Sequence, residues 1–196
     1  VTGSNDAPVI EAGSDSAGAV TALPTVAPFT VEQYTGFSST SLATLQAYAN
    51  SHPASHTVTT NVIDYTDDPA GFAGEISGSS PWPAAQANSA TGTAHPLNDG
   101  FFARISGQLV VDTADTYTFR TFNDDGVFVL VDGTPVISDS GIHPEQAYEG
   151  NIALAPGAQT IELYFFEYGG EASLEFSYRN STTTSFGLVD LNPLLQ

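Results

Sequence analysis

The sequence predicts an all-β fold, an antiparallel β-sandwich with one short helix in its N-terminal half. From residue 100 onward, β-branched and aromatic residues recur in short runs, and several of these runs alternate apolar with polar positions. Turn signals separate the runs at short, fairly regular spacing: Asp125-Gly126, Asp132-Gly133, Pro156-Gly157 and Gly169-Gly170. Only one stretch, near residue 42, has helical periodicity with a cap before it and a stop after it.

Taken in order, residues 1–28 are rich in Gly, Ser, Ala, Thr and Pro and read as a linker or N-terminal extension, with residues 29–196 as the sandwich. Pro8 and Pro24 argue against a central strand there. Thr40 or Ser41 can cap the helix, Leu42, Leu45, Tyr48 and Ala49 form its apolar stripe, and Pro53 stops it. Residues 57–65 are β-branched and alternating, which predicts a strand ended by the turn Asp67-Asp68-Pro69. Residues 69–99 read as loop and hold the single tryptophan, Trp82. Five strands follow, at 101–111, 116–122, 127–131, 159–168 and 172–179. In the last two, Ile161, Leu163 and Phe165 share one face, as do Leu174, Phe176 and Tyr178.

The charge balance narrows the partners. Three arginines (Arg104, Arg120 and Arg179) and no lysine face 22 acids, for a formal net charge of −19 over 196 residues. Such a chain repels phosphate backbones and anionic membrane surfaces, so no nucleic acid and no membrane insertion are expected. It attracts hard cations, and calcium prefers carboxylate and carbonyl oxygens. Cysteine is absent, which removes disulfides, thiolate nucleophiles and thiolate metal sites. A cysteine-free acidic chain suits an exported protein that folds with calcium outside the cell. No apolar run approaches the ~20 residues that span a bilayer. Val1 to Ala7 is polar and unlike a signal peptide, so the segment reads as a monomeric module of a longer chain, or as one exported without an N-terminal signal.

Asp124-Asp125-Gly126 allows two readings. Taken alone, it is a hairpin turn. Its flanks point elsewhere. Arg104-Ile105-Ser106-Gly107-Gln108-Leu109 leads to Asp115-Thr116-Tyr117-Thr118-Phe119. Asn123-Asp124-Asp125-Gly126-Val127-Phe128-Val129-Leu130-Val131-Asp132-Gly133 follows. Leu154-Ala155-Pro156-Gly157, Ile161-Glu162-Leu163-Tyr164-Phe165-Phe166-Glu167 and Gly170-Glu171-Ala172-Ser173-Leu174 complete the set. In order, spacing and residue type, residues 100–180 resemble the β-sandwich domain family named after the anthrax protective antigen, whose lectin branch includes the yeast flocculins. The opening Val1-Thr2-Gly3-Ser4-Asn5-Asp6-Ala7-Pro8-Val9 is similar to the joins between extender domains in large bacterial repeats-in-toxin adhesins, marine ice-binding adhesins among them.

The resemblance implies a calcium-dependent lectin module. In that branch two adjacent aspartates joined by a cis peptide hold Ca2+, so here the pair is Asp124 and Asp125. Carbonyls of the loop at 167–172, from Gly169, Gly170 or Glu171, are the implied further ligands. No asparagine stands where the flocculins have one; Glu167 is near that place. Adjacent side chains of an ordinary strand point to opposite faces, whereas a cis link turns both carboxylates to one side. Two aspartates and a few loop atoms leave part of calcium's shell of about 6–8 oxygens open for vicinal sugar hydroxyls. His143, Gln146, Tyr148 and Tyr168 are candidates for the rim that selects the sugar, with Asp124, Asp125, Gly170 and Glu171 at its centre; the plain alternative for each is packing. The loop at 138–150 carries three of them.

The implied function is non-catalytic binding of a neutral glucose-, mannose- or fucose-like hexose at a cell surface or in a matrix. The rivals are a calcium-stiffened spacer and part of a glycoside hydrolase. Other features carry less. Pro53 breaks any helical alignment of His52 with His56, so zinc is not expected; His95 is isolated. Trp82 reads as a packed anchor rather than a sugar platform. Asp64, Asp67, Asp68, Asp112, Asp115 and Asp139 are candidate hosts for additional structural calcium, and Asn5 and Asp6 for a linker ion.

Overall fold

The alternating runs pair into two stacked sheets. The computed structural model describes residues 27–67, 76, 80–83 and 99–191. Its elements are β1 (Phe29–Thr35), α1 (Leu42–Ser51), β2 (His56–Thr60), β3 (Asp64–Thr66), β4 (Ser80–Pro81), β5 (Phe101–Val111), β6 (Asp115–Asp124), β7 (Gly126–Val131), β8 (Thr134–Ser138), β9 (Gln146–Leu154), β10 (Gly157–Glu167), β11 (Ser173–Arg179) and β12 (Gly187–Leu188). One sheet has the order β2-β1-β5-β10-β7-β8; the other runs β4-β3-β11-β6-β9, with β12 beside β11. All pairings are antiparallel except β3 with β4. This is the predicted sandwich, with α1 as the short helix expected in its N-terminal half.

The inner faces make the core. Ile161, Leu163 and Phe165 from one sheet meet Leu174, Phe176 and Phe119 from the other, all fully buried. The helix begins and ends as the caps predict: Ser41 Oγ accepts from the Thr44 N–H, and the chain leaves the helix at His52. Its Leu45 and Ala49 pack with Tyr34, Phe102, Phe128, Leu130, Tyr164 and Phe166 in a second cluster. Every residue of β7 is therefore buried: Val127, Val129 and Val131 join the main core, while Phe128 and Leu130 join the helix cluster. That two-sided burial is why β7 reads as a continuous apolar run.

Three readings change. The strand expected at 57–65 is two strands in different sheets, β2 and β3, with the chain crossing between them at 61–63. Ile63 is fully buried at this crossing, and Thr60 Oγ1 donates to the Val62 carbonyl. Periodicity continues through the crossing, so the sequence alone hides it. The second change is β9, which occupies much of the loop expected at 138–150; the connecting segment is only 139–145. β9 sits at a sheet edge, and Gly150 interrupts its inward row of Tyr148, Ile152 and Leu154, so its apolar alternation is weak. The third is the set of turns: Asp132-Gly133 is the hairpin turn expected, with φ of 48° and 74°, but Asp125-Gly126 joins strands of opposite sheets. Most of the loop at 69–99, and residues 1–26, lie outside the described residues.

Trp82 is fully buried, as its anchor reading requires. Its ring stacks between Tyr65 and Phe165, with centroids 4.7 Å away on each side, and its indole N–H donates to the Ala172 carbonyl at 3.1 Å. That bond ties the core to the loop between β10 and β11. Trp82→Ala is expected to cost about 3–5 kcal/mol of unfolding free energy. Urea denaturation followed by far-UV circular dichroism reads this; a cost under about 1 kcal/mol would show that the anchor is dispensable.

Candidate metal centre

Three connections between the sheets gather at one end of the sandwich. β6 belongs to one sheet and β7 to the other, so the chain changes sheet at Asp124-Asp125, whose peptide bond is cis. The segments at 139–145 and 168–172 likewise carry the chain across, from β8 to β9 and from β10 to β11. Register confirms the common end: Ser173 pairs with Asp124, Gln146 with Asn123, and Phe166 with Gly126. Glycine at 126 is required sterically, since a Cβ there would lie 2.3 Å from the Phe166 ring.

Here Asp124, Asp125 and Glu167 each offer a carboxylate oxygen, and the three oxygens lie within 4.8 Å of one another. It is the one such group of three or more acids, histidines or cysteines among the described residues. The backbone holds two of them. Asp125 Oδ1 accepts from the His143 N–H at 2.8 Å and Oδ2 from the Tyr168 N–H at 2.9 Å. Glu167 Oε1 accepts from the Gly169 N–H at 2.5 Å and Oε2 from the Asp125 N–H at 3.1 Å. No donor among the described residues reaches the Asp124 carboxylate, which is half-buried.

Electrostatics make the cluster costly without a cation. Burial and then repulsion from Asp125 push the Asp124 carboxyl up to about 7, with Glu171 and Asp67 adding to it and His143 opposing. Burial and the charges of Asp125 and Asp124 push Glu167 to about 9, although two backbone N–H groups favour its ionised form. Three carboxylates crowded in this way, all oxygen donors with no sulfur, fit a hard divalent cation.

The structure thus brings the Glu167 carboxylate beside those of Asp124 and Asp125. Gly169, Gly170 and Glu171 form the exposed part of the loop after it; Gly170 has φ 115° and donates its N–H to Asp99 Oδ1 at 3.1 Å. Asp67 Oδ1 accepts from the Ala172 N–H and so fixes the end of the same loop. Beside the carboxylates, Gln146 Nε2 donates to Tyr148 Oη at 2.9 Å, and Tyr148 Oη lies 3.3 Å from His143 Nε2. Gln146 and Tyr148 stand on β9, not in a loop. Tyr168 is 44% exposed, with its ring edge against Phe166.

Sequence reasoning missed Ile142, 59% exposed in the segment at 139–145, and the supporting roles of Asn123, Asp67 and Asp99. Only Asn123 carried a signal, its place beside the aspartate pair. Asp115 is engaged by Ser181 and Thr116, and Asp139 by Asn123, Gly141 and His143; neither belongs to a metal-sized group. His52 ends α1 and stacks on Tyr48 at 3.9 Å, and His56 is exposed. Asn5, Asp6, Asp68 and His95 lie outside the described residues.

A pH dependence follows from the raised carboxyls. Asp124 and Glu167 start from ordinary values of 3.8 and 4.5, so the folded, metal-free protein binds more protons than the unfolded chain between those values and about 7 and 9. Stability must then fall as pH rises through that window, and the effect vanishes below it, where both states are protonated. Urea unfolding in EGTA is expected to show lower stability at pH 8 than at pH 5. Glu167→Gln should flatten the slope; a variant with the parent's slope would remove Glu167 as its source.

The comparisons with known proteins agree with the fold. Among solved structures, the PA14 sugar-binding domain from an RTX adhesin superposes with a TM-score of 0.61 at 20% identity, covering 83% of this chain and 94% of that one. The PA14 domain of the MpAFP antifreeze protein gives 0.61 at 16% identity, covering 84% and 87%. A subtype-switched epithelial adhesin A domain from Candida glabrata, in complex with beta-lactose, gives 0.55 at 11% identity, covering 86% and 87%. At these identities the likeness is one of fold. No curated protein sequence matches the chain. Residues 84–190 match the PA14 domain, more than half of the sequence, and the chain belongs to the PA14 domain family.

Proposed function

We propose that this chain is a calcium-dependent carbohydrate-binding module of a cell-surface adhesin, with residues 29–196 as the lectin domain and residues 1–28 as a linker or N-terminal extension. The observation that carries this reading is the group formed by Asp124, Asp125 and Glu167, placed at the end of the sandwich where three inter-sheet connections meet, with Asp124 partly exposed. These three side chains would hold Ca2+, with carbonyls of Gly169, Gly170 and Glu171 as further ligands. Calcium bound there supplies a hard centre that polarises neutral vicinal hydroxyls.

The chain's own residues do the rest. The backbone bonds from His143 and Tyr168 fix both oxygens of Asp125 before any ligand arrives. His143, Gln146, Tyr148 and Tyr168 form the rim, offering amide and hydroxyl groups beside an exposed ring. Ile142 adds exposed apolar surface close by. A neutral glucose-, mannose- or fucose-like hexose suits a chain of net charge −19 better than a sialylated or sulfated sugar. The sugar-binding adhesin domains that share the fold support the same reading and an extracellular location. Among the described residues no helix is long and apolar enough to cross a membrane.

A glycan array run with and without calcium tests the proposal. Binding is expected to require calcium and to disappear in EDTA. Asp124→Ala and Asp125→Ala should each weaken it by more than the roughly 10–100-fold that loss of an outer-shell partner costs at a metal site. Binding that survives chelation would overturn the metal's role, and calcium uptake without glycan binding would favour the spacer. No reducing sugar should be released from bound glycans. Hydrolysis needs carboxyls about 5–9.5 Å apart across a cleft, one of them protonated, whereas these three offer oxygens within 4.8 Å to one ion.

A further inference from the structure

Behind the carboxylates runs a closed ring of hydrogen bonds, of which the proposed function uses only the His143 N–H. It starts at the Asp125 backbone carbonyl, which accepts from Asn123 Nδ2 at 2.6 Å. The same amide nitrogen donates to Asp139 Oδ2 at 2.7 Å. Asp139 Oδ2 also takes the ring nitrogen Nε2 of His143 at 2.8 Å. The ring closes through the His143 backbone N–H, which donates to Asp125 Oδ1 at 2.8 Å. Both ends of Asp125, its main-chain carbonyl and its side-chain carboxylate, are thus held by one circuit.

The circuit is built, not incidental. Asn123 is fully buried, and Asp125 and Asp139 are 2% and 4% exposed. The orientation of the Asn123 amide is forced, since a flipped amide would aim its oxygen at two acceptors, the Asp125 carbonyl and the Asp139 carboxylate. Its Oδ1 has no partner among the described residues, so the buried amide gives up one hydrogen bond to make the other two. Asp139 is pinned again, its Oδ1 accepting from the Gly141 N–H at 2.9 Å and its own N–H donating to the Val127 carbonyl at 2.9 Å. His143 Nδ1 lies 2.9 Å from the Pro144 carbonyl, which can only accept, so this nitrogen donates and the ring plane is set. Neither Asn123 nor Asp139 is in the group that could grip the ion.

We infer that Asn123 and Asp139 are positioning residues that act through His143 to preorganise Asp125 as a metal ligand. The inference rests on the calcium reading of the site and specifies how its affinity is set. A carboxylate fixed before binding loses little freedom when the ion arrives, which is why outer-shell partners are typically worth 10–100-fold in metal affinity.

The test is calorimetric titration of the EGTA-treated, desalted protein with calcium chloride. Asp139→Asn is expected to weaken calcium binding about 10–100-fold, and His143→Ala, on a partly exposed segment, to do the same. His143→Gln, which keeps a side-chain donor, should recover part of the loss. Because one break opens the whole circuit, the double variant Asp139→Asn/His143→Ala should bind calcium nearly as well as the weaker single variant, rather than showing the product of two losses. Thermal melts in EGTA check that each variant folds. Folded variants with the parent's calcium affinity, or losses that multiply, would overturn the positioning role while leaving the calcium reading intact. A folded parent that takes up no calcium would overturn both.

Discussion

Crowding of like charges at a sheet crossing is the constraint on which this structure turns. Three carboxylates offer oxygens within 4.8 Å of one another, and two of their side chains are almost fully buried. Burial and mutual repulsion both oppose ionisation there. The fold meets this cost partly with main-chain dipoles: four backbone N–H groups donate to the oxygens of Asp125 and Glu167. The rest of the cost stands unmet, since no donor among the described residues reaches Asp124.

Everything that positions those amides comes from the sandwich. β6, β8 and β10 each hand the chain to the other sheet at the same end, so three connections converge without long excursions. Trp82, wedged between Tyr65 and Phe165, fixes the Ala172 carbonyl from inside the core, and Asp67 fixes the Ala172 N–H. On the far side of β7 and β10, α1 covers Phe128 and Phe166, and Phe166 packs where a side chain at position 126 would otherwise stand. The site therefore sits on two rigid layers, the arrangement that holds ligand groups to narrow tolerances.

The scarcity of cations has a structural counterpart. Arg104 pairs with Glu32 at 2.6 Å, Arg120 lies 3.8 Å from Glu175, and Arg179 lies 3.6 Å from Glu149. Arg120 and Arg179 also flank the Phe186 ring, at 4.0 and 4.7 Å from its centroid. All three arginines are engaged away from Asp124, Asp125 and Glu167, and it is His143 that opposes the rise of the Asp124 carboxyl.

The sequence by itself determined the class of fold, the helix with its Ser41 cap and most strands after residue 100, because burial on one or two faces writes a period into the chain. It also marked the aspartate pair, because that motif is local. It could not show that residues 57–65 divide between sheets, since alternation runs through the crossing, nor reveal β9, an edge strand whose inward face of Tyr148, Ile152 and Leu154 is interrupted by Gly150. The resemblance already pointed toward Glu167, 42 residues from Asp125, but tertiary structure alone decided that its carboxylate accepts from the Asp125 N–H and that Asn123, Asp139 and His143 close around Asp125. Those relations arise where strands from opposite sheets end side by side, and hydrogen bonds between such distant residues leave no periodic trace in the order of the residues that make them.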